Sequence, residues 1–403
     1  MSQTKVTDNL RSTTQLDGAK ITTGTIPEAR ISTLTASKLT GALPAISGAS
    51  LTNLPSDVTK ATSDPVITTN PSGGVGTLYL NKNSGELWCC TDATNNENKW
   101  INIGGGSGDV VPYSFQGSTS GYAAGGWTSS AVNIIDKFSL TSDANSSDTG
   151  DLTGSFYYAG ASTSNTHGYT SGGHDGSSWS NVIQKFAFAT DGNATDVGDV
   201  TASRQGGSGQ SSTTHGYCSG GWTGSASNVI DKYSHSSDGN ATDVGDLTQI
   251  RQLGGGQTSS THGYTTTGRN DNSYYNIIDK FSFSSDGNAT DVGDRTVTGA
   301  YVAGQSSTTH GYVTGNHDTG GSAQNIIDKF SFSSDGNATD VGDLTGVKYA
   351  PSGQSSTTHG YSSGGWNPSV INVIDKFTFS SDANATDVGN LSVAKGGSMG
   401  SQF

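Results

Sequence analysis

A unit of about 48 residues occurs six times in the last three quarters of the sequence. Five copies carry the tetrapeptide Thr-His-Gly-Tyr, and a degenerate first copy carries Ser120-Gly121-Tyr122. The tyrosines of the six copies are Tyr122, Tyr169, Tyr217, Tyr264, Tyr312 and Tyr361, at intervals of 47, 48, 47, 48 and 49 residues. A period of about 40–50 residues is typical of one four-stranded blade of a β-propeller. The repeat therefore predicts an all-β fold before any single residue is considered.

The composition agrees with this prediction and excludes some partners. Hydrophobic residues make up 31 % of the chain, charged residues 13 %, and the net charge is −14. Low hydrophobicity with excess charge can indicate disorder, but here Gly, Ser and Thr fill the deficit within a regular repeat. The acidic balance argues against binding to a phosphate backbone, so no nucleic acid partner is expected. The first residues contain no apolar stretch, which predicts no secretory signal and no membrane insertion.

The first 108 residues differ from the repeats. Residues 1–60 place isolated Ile and Leu between Thr, Ser, Gly and Pro, which leaves two interpretations, a disordered tail or an extended segment that oligomerises and anchors. We favour the second, because such a segment buries apolar side chains only against copies of itself. Residues 62–106 predict a small β module with strands at 76–80, 86–90 and 99–103. The glycine-rich stretch 104–108 predicts a flexible linker.

The third copy predicts the strands of each repeat within residues 109–403. Strands A to D are expected at about 209–214, 217–222, 228–233 and 242–247, with a tight turn at His215-Gly216 whose glycine takes a positive φ. The six blades are expected at about 109–153, 154–201, 202–248, 249–296, 297–345 and 346–403. The C-terminal segment 396–401 resembles the approach to a strand A, so the chain end is expected to pair beside residues 114–120 and complete a ring.

This strand order resembles the kelch repeat, in which a strand ending in two glycines precedes a Val/Ile–Tyr/Phe strand and then a strand ending near a basic residue, here Arg204 or Arg251. Two features depart from that pattern. The Trp of the fourth kelch strand is absent, and the double glycine is broken in the fourth and fifth copies. Six copies in about 290 residues, with this resemblance, predict a closed six-bladed, kelch-like β-propeller. In the predicted fold it is preceded by the small β module and the extended, fibre-like N-terminal segment.

The loops of the repeats differ in how much they vary between copies. The A–B and C–D connections share one end of the strands and are nearly identical in every copy, and we call this end the constant face. The B–C and D–A connections form the opposite end, the variable face, and they change in length and chemistry. Varied loops on a rigid scaffold are the usual place for binding. Candidate ligand-binding residues on this face are Trp127, Trp179, Trp222, Arg251, Arg269, Tyr274, Tyr275, Tyr301, Tyr349 and Trp366. The alternative is that the tryptophans only cover the ends of the blades.

Metal binding and catalysis find little support in the sequence. The histidines of the tetrapeptide recur in different blades, so they are too far apart to share an ion. The Asp-Gly-Asn-Ala-Thr-Asp loops resemble Ca²⁺ loops in part but lack the Gly at position 6 and the later Glu, which favours a hydrogen-bonded turn. On the variable face Asp175, Asp271 and Asp318 are each isolated in a loop, whereas a glycosidase needs two neighbouring carboxylates. We therefore expect no metal, no cofactor and no enzymatic activity.

The N-terminal units 16–21, 24–31 and 39–44 resemble the shaft repeats of bacteriophage tail fibres, especially those of marine and cyanobacterial phages. The segment 76–101 resembles a small module of phage fibre proteins. The resemblance implies a virion protein, assembled in the host cytoplasm, that forms a homotrimer through its N-terminal segment and contacts other tail or capsid proteins. It also implies that the propeller binds a host-surface glycan or protein. A non-adhesive capsid decoration or adaptor protein is the second interpretation, and a polysaccharide depolymerase is the third.

Overall fold

The computed structural model describes residues 58–104 and 114–403. Contacts divide the chain into two units, residues 1–112 and 113–403. The described residues form 28 β-strands and no helix, in agreement with the all-β prediction. No part of these two ranges contains a helix with the length and hydropathy needed to span a membrane. The predicted segment 1–60 lies outside the described residues apart from its last three positions, and so does most of the predicted linker.

The first unit contains one four-stranded sheet with the order β1-β2-β3-β4. Its strands are β1 (Val58–Ala61), β2 (Leu78–Asn81), β3 (Leu87–Asp92) and β4 (Lys99–Asn102). The three predicted strands are confirmed with shifts of one or two residues, whereas β1, which pairs in parallel with β2, was not predicted. Tyr79 meets Trp88 and Trp100 edge to face at 6.3 and 5.5 Å, and these aromatic rings form the core of the sheet.

The second unit contains six four-stranded antiparallel sheets, one for each repeat. The A strands are β8 (Gly160–Thr163), β12 (Ser208–Ser211), β16 (Gly255–Thr258), β20 (Ala303–Ser306), β24 (Ser352–Ser355) and β28 (Met399–Gln402). The B strands are β5 (Ser120–Ala124), β9 (His167–Ser171), β13 (His215–Ser219), β17 (His262–Arg269), β21 (His310–His317) and β25 (His359–Ser363).

The C strands are β6 (Ile134–Ser139), β10 (Val182–Ala187), β14 (Val229–Ser234), β18 (Tyr274–Ser282), β22 (Ala323–Ser331) and β26 (Val373–Thr378). The D strands are β7 (Ser147–Asp151), β11 (Thr195–Asp199), β15 (Thr242–Asp246), β19 (Thr290–Gly299), β23 (Thr339–Lys348) and β27 (Thr386–Asn390). The order A-B-C-D across each sheet places the A–B and C–D connections at one end and the B–C and D–A connections at the other. The constant and variable faces predicted from the sequence therefore lie at opposite ends of the strands.

The glycine of the repeated tetrapeptide has a different role from the one predicted. His215 begins β13, so the A–B turn lies at residues 212–214, and Gly216 does not have a positive φ. A Cβ atom on Gly216 would lie 2.5 Å from the ring of Tyr233 on the neighbouring strand. At Gly263 the same atom would lie 2.3 Å from the ring of Phe281. The glycine is therefore required by an aromatic ring packed on the strand, not by the conformation of a turn.

The hydrophobic core lies between neighbouring sheets. Tyr217 of the third repeat contacts two rings of the fourth, Phe281 at 5.4 Å and Phe283 at 5.0 Å. In the equivalent place Tyr169 contacts Tyr233 and stacks on the imidazole of His235 at 4.8 Å. The same packing joins the sixth repeat to the first, where Tyr361 contacts Phe138. Each C strand therefore packs between neighbouring sheets, which explains why adjacent residues such as Ile230 and Asp231 of β14 are both buried.

The A strands contact one another in the order β8, β12, β16, β20, β24 and β28, and β28 in turn contacts β8. A Cβ atom on Gly209 would lie 1.8 Å from the carbonyl oxygen of Ala161 in the preceding A strand. This close approach requires glycine at the middle of most A strands. The C-terminal strand β28 pairs with β5, so the first sheet takes its A strand from the end of the chain. The predicted partner was residues 114–120, and the observed partner, β5 (Ser120–Ala124), lies directly after them.

Candidate functional site

The constant face is held together by contacts between neighbouring sheets. In every repeat a lysine of strand C forms an ion pair with the first aspartate of the next C–D loop. The pairs are Lys137–Asp191, Lys185–Asp238, Lys232–Asp286, Lys280–Asp335, Lys329–Asp382 and Lys376–Asp143. The asparagine of the loop also accepts a hydrogen bond from the preceding D strand, as Asn240 does from the amide of Asp199 at 3.1 Å. These loops therefore act as connectors, and their leading aspartates are engaged by lysine.

The recurrent histidines are also engaged locally. Nδ1 of His215 lies 2.8 Å from Oγ1 of Thr214, and the other four copies repeat this contact. Burial lowers the pKa of each of these histidines. In residues 58–104 and 114–403 no three His, Cys, Asp or Glu side chains form a group that could hold a metal ion. Contacts within the structure thus account for the repeated residues of the constant face.

The variable face is built around a ring of six equivalent residues from the D–A loops. We call Tyr158, Gly206, Leu253, Tyr301, Ala350 and Gly397 the axial ring. Each backbone amide donates a hydrogen bond to the carbonyl oxygen of the preceding member, and the amide of Tyr158 donates to Gly397, with N···O distances of 2.6–2.9 Å. All six residues have φ between 52° and 68°. Only two of them are glycine, although this region of φ is unfavourable for other residues.

Such left-handed residues cost of order 1 kcal/mol each and persist where the surrounding structure holds them. Here the backbone hydrogen bonds hold them, so the side chains at these positions are free to differ between copies. A pocket of about 70 Å³ lies at the ring and is lined by all six members of the ring. Tyr158, Tyr301 and Leu253 supply its larger apolar side chains, with Val302 and Pro351 beside them. Burial raises the pKa of Tyr158 and of Tyr301, so both phenols remain neutral.

A continuous group of aromatic rings surrounds one side of this pocket. It comprises Trp127, Tyr157, Tyr158, His174, Tyr301, His317, Tyr349 and Trp366, which we call the aromatic crescent. Successive centroids lie 4.9–6.0 Å apart. Tyr349 and Trp366 are stacked with an angle of 16° between their planes. Every member is partly exposed, so the crescent presents a broad aromatic surface drawn from four of the six repeats.

Four of the ten predicted residues belong to the crescent: Trp127, Tyr301, Tyr349 and Trp366. Trp179 is 38 % exposed and lies outside it, over Gly224 of the next B–C loop. Trp222 is half-buried and also lies outside the crescent.

Three more predicted residues form a separate polar corner in the fourth repeat. The guanidinium of Arg269 lies 5.4 Å from the ring centroid of Tyr274. The hydroxyl of Tyr275 accepts a hydrogen bond from Nδ2 of Asn270 at 2.6 Å. These side chains remain candidates for polar ligand contacts beside the crescent.

The prediction for Arg251 is wrong. Its side chain is 1 % exposed, and Nη2 lies 2.9 Å from Oδ2 of Asp279. It belongs to a set of buried ion pairs beneath the variable face. The pairs are Arg204–Asp231, Arg251–Asp279, Arg295–Asp328, Lys348–Asp375 and Lys395–Asp136. Arg204, Arg251 and Lys395 lie in D–A loops, whereas Arg295 and Lys348 lie in the D strands β19 and β23. All five cations pair with strand C, and their side chains are at most 1 % exposed.

The second repeat contains no such pair. Gln184 replaces the aspartate of strand C, and Phe156 stands at the repeat position of Arg204 and Arg251. The amide oxygen of Gln184 accepts hydrogen bonds from the amide and hydroxyl of Thr153 at 2.6 and 2.7 Å. The two partners have thus changed together, as expected when an unpaired buried charge is strongly unfavourable.

Four members of the crescent were not predicted: Tyr157, Tyr158, His174 and His317. Aligning the six copies on their repeat tyrosines would have found them. His174 and His317 stand five residues after the repeat tyrosine, where Trp127 and Trp366 stand in other copies. Tyr158 stands at the repeat position of Tyr301.

The carboxylates of the variable loops organise their own turns. Oδ1 of Asp175 accepts hydrogen bonds from the amides of Ser177 and Ser178, both at 2.6 Å. These bonds lower the pKa of Asp175. Oδ1 of Asp318 accepts two further amides within its loop at 2.8 Å. Asp271 is exposed.

A scan against protein-family models and a search of curated proteins each found no match to this chain. The functional argument therefore depends on the aromatic crescent, the axial pocket and the pattern of the repeats.

Proposed function

We propose that the protein is a bacteriophage tail fibre whose repeats form a closed, six-bladed, kelch-like propeller, and that the aromatic crescent binds a glycan on the host surface. The observation that carries this proposal is the crescent itself. A chain with only 31 % hydrophobic residues places eight partly exposed rings side by side on one face. Partly exposed aromatic rings clustered in this way favour a binding site. Flat rings with polar edges suit the apolar faces and hydroxyl groups of sugars.

Three observations support the closed ring. The A strands contact one another in sequence and return to the first. Six backbone hydrogen bonds of the axial ring do the same. The C-terminal strand completes the first sheet by pairing with β5. A closed ring of blades leaves no long open sheet edge, only the outer D strand of each sheet.

The path of the chain supports an outward-facing variable face. Nε2 of Gln116 donates a hydrogen bond to the carbonyl of Ser306 at 2.9 Å, and the amide of Gly117 donates to Ser355 at 2.8 Å. Both acceptors lie at the ends of A strands on the constant face. Residues 116 and 117 therefore lie at the constant face. In this proposal residues 1–60 form the trimeric anchor to the virion.

The test measures binding of the full chain to polysaccharides from host envelopes, with Trp366→Ala and Trp222→Ala as a matched pair. Both tryptophans follow a double glycine and both are half-buried, but only Trp366 belongs to the crescent. We expect Trp366→Ala to weaken binding roughly tenfold and Trp222→Ala to have little effect, because central aromatic residues carry most of the binding energy. Equal melting temperatures would show that both variants remain folded.

Two results would favour the other interpretations. Binding to no envelope fraction would contradict the adhesive function and favour a decoration or adaptor protein. Shortening of a bound polysaccharide that is lost when Asp175 or Asp318 is replaced by Asn would favour a depolymerase.

A further inference from the structure

We propose that Arg269 pairs with the carboxylate of a ligand sugar, so that the aromatic crescent takes a saccharide that contains uronic acid. This inference rests on the proposed function and names the class of glycan that the site takes. The reasons lie in the repeat position of Arg269, in the state of its guanidinium and in the charges of the variable face.

Arg269 occupies the repeat position of a crescent ring. It stands five residues after the repeat tyrosine, Tyr264. In the other copies this position holds Trp127, His174, Trp222, His317 and Trp366. All six residues form an antiparallel bridge with a residue of the adjacent D–A loop, which for Arg269 is Gln252. The fourth repeat therefore presents a cation where four other repeats present a ring of the crescent.

Arg269 differs from the other cations of the repeats in having no carboxylate partner. Residues 114–403 contain twelve Lys and Arg side chains, and the other eleven form ion pairs with aspartates. The nearest acidic residue along the chain, Asp271, is exposed and forms no ion pair with Arg269 among the described residues.

The contacts that Arg269 does make leave its charge unneutralised. Its guanidinium packs on the ring of Tyr274, and Nη1 donates to the hydroxyl of that residue at a long 3.4 Å. Nε is buried and has no hydrogen-bond partner in the part of the chain that the structure describes. The residue as a whole is half-buried. A partly buried cation without a counter-charge is unfavourable, and the anionic group of a ligand would supply the missing partner.

The charge of Arg269 acts on the crescent. Burial raises the pKa of Tyr301, and the positive charge of Arg269 opposes that rise, which requires the guanidinium to lie close to this ring. Tyr301 belongs to both the axial ring and the crescent, and its neighbours His317 and Tyr349 lie at centroid distances of 5.7 and 5.8 Å. A sugar stacked on this part of the crescent therefore carries its substituents to the vicinity of Arg269.

A single carboxylate fits this arrangement better than a more highly charged group. The planar guanidinium donates two parallel hydrogen bonds to the two coplanar oxygens of a carboxylate. One unpaired cation balances one negative charge, whereas Asp175 and Asp318, which follow two crescent histidines, disfavour further negative charges nearby. A uronic acid combines a sugar ring for the crescent with one carboxylate for Arg269.

The experiment uses the full chain and envelope polysaccharides that contain uronic acid, each measured before and after chemical reduction of the carboxyl groups to alcohols. The native and reduced forms share the same sugar rings and differ in charge. We expect the native form to bind about tenfold more tightly at physiological ionic strength, because only the carboxylate makes charge-assisted hydrogen bonds with Arg269.

Two substitutions of equal charge separate a local contact from the overall field. Arg269→Gln should lower the affinity for the native form to that for the reduced form. Lys280→Gln removes a positive charge from the same repeat but on the constant face, where Lys280 pairs with Asp335, and should retain the tenfold preference. Arg269→Lys keeps the charge without the planar fork and should retain part of the preference. Melting temperatures show that each variant remains folded.

Equal or tighter binding of the reduced form by the unaltered chain would overturn the pairing with a carboxylate and leave the glycan function standing. A preference that survives Arg269→Gln, or that Lys280→Gln abolishes to the same extent, would also overturn it, because the selection would then come from another group or from the overall field. Binding to neither form would contradict the glycan function itself, and this inference with it.

Discussion

The constant and variable faces belong to the same six sheets, but they are held in place by different contacts. Loops of the constant face are fixed by their own side chains, such as the Lys280–Asp335 pair, and these side chains recur in every copy. Loops of the variable face are fixed from below by buried ion pairs and at the axis by backbone hydrogen bonds. The backbone can make those bonds with almost any side chain. The comparison teaches that a loop is free to change its surface residues when its position does not depend on them.

The largest expected effect comes from breaking a buried ion pair beneath the variable face. Asp279→Gln leaves the buried guanidinium of Arg251 without its carboxylate and should lower the free energy of unfolding by about 3–5 kcal/mol. Adding Arg251→Phe recreates the Phe156–Gln184 combination of the second repeat and should recover at least half of the loss. Chemical denaturation of the two variants measures this. A double variant as unstable as the single one would show that the second repeat tolerates its neutral pair for another reason.

The second-largest effect is expected at a tetrapeptide glycine, and a glycine near the variable face serves for comparison. Gly263→Ala forces a Cβ atom against the ring of Phe281 and should cost about 2–3 kcal/mol of unfolding free energy. Gly346→Ala, in a D strand that leads to the variable face, has open space around the new atom and should change stability by less than about 0.5 kcal/mol. Thermal unfolding of both variants provides the measurement. Similar losses at the two sites would refute the packing role of the tetrapeptide glycine.

The next prediction concerns how stability depends on pH. It applies to the third repeat, in which a histidine, His235, occupies the position of a stacked phenylalanine. Burial lowers the pKa of His235 to about 3, below its value of about 6.5 in an unfolded chain. The unfolded state therefore binds this proton first, and stability falls as pH decreases from about 6.5 toward 3. Between pH 7 and 5 the loss from His235 should be about 2 kcal/mol. His235→Phe should remove this part of the acid sensitivity in urea unfolding curves, and an unchanged pH profile would contradict the buried, neutral state.

The smallest effect is expected at an exposed pair of the constant face. Lys280→Ala removes one ion pair whose side chains are 22 % and 57 % exposed. Exposed pairs contribute about 0–1 kcal/mol, so the midpoint of unfolding should move only slightly, and less at high salt. A loss comparable to that of Asp279→Gln would mean that the two faces are held with equal strength.

Some features of the fold and of the candidate site were predictable from the sequence, and others were not. Strand order and the separation into two faces were predictable because each copy carries the same local pattern of turns and apolar strands. The aromatic character of the variable face was predictable in part, through Trp127, Tyr301, Tyr349 and Trp366. Arg251 was misplaced because burial depends on a partner, Asp279, that lies 28 residues away and opposite the loop.

The repeat period, and with it the number of sheets and the order of their strands, was determined by the sequence alone, because a period is written into every copy and requires no knowledge of distant contacts. Only the tertiary structure decided which residues of different copies become neighbours. It brought Tyr158, Tyr301 and Trp366 together from repeats far apart in the chain, and it showed that an aromatic ring requires the glycine of the tetrapeptide. The physical reason is that the core and the crescent both form between sheets, where packing joins residues that no local pattern connects.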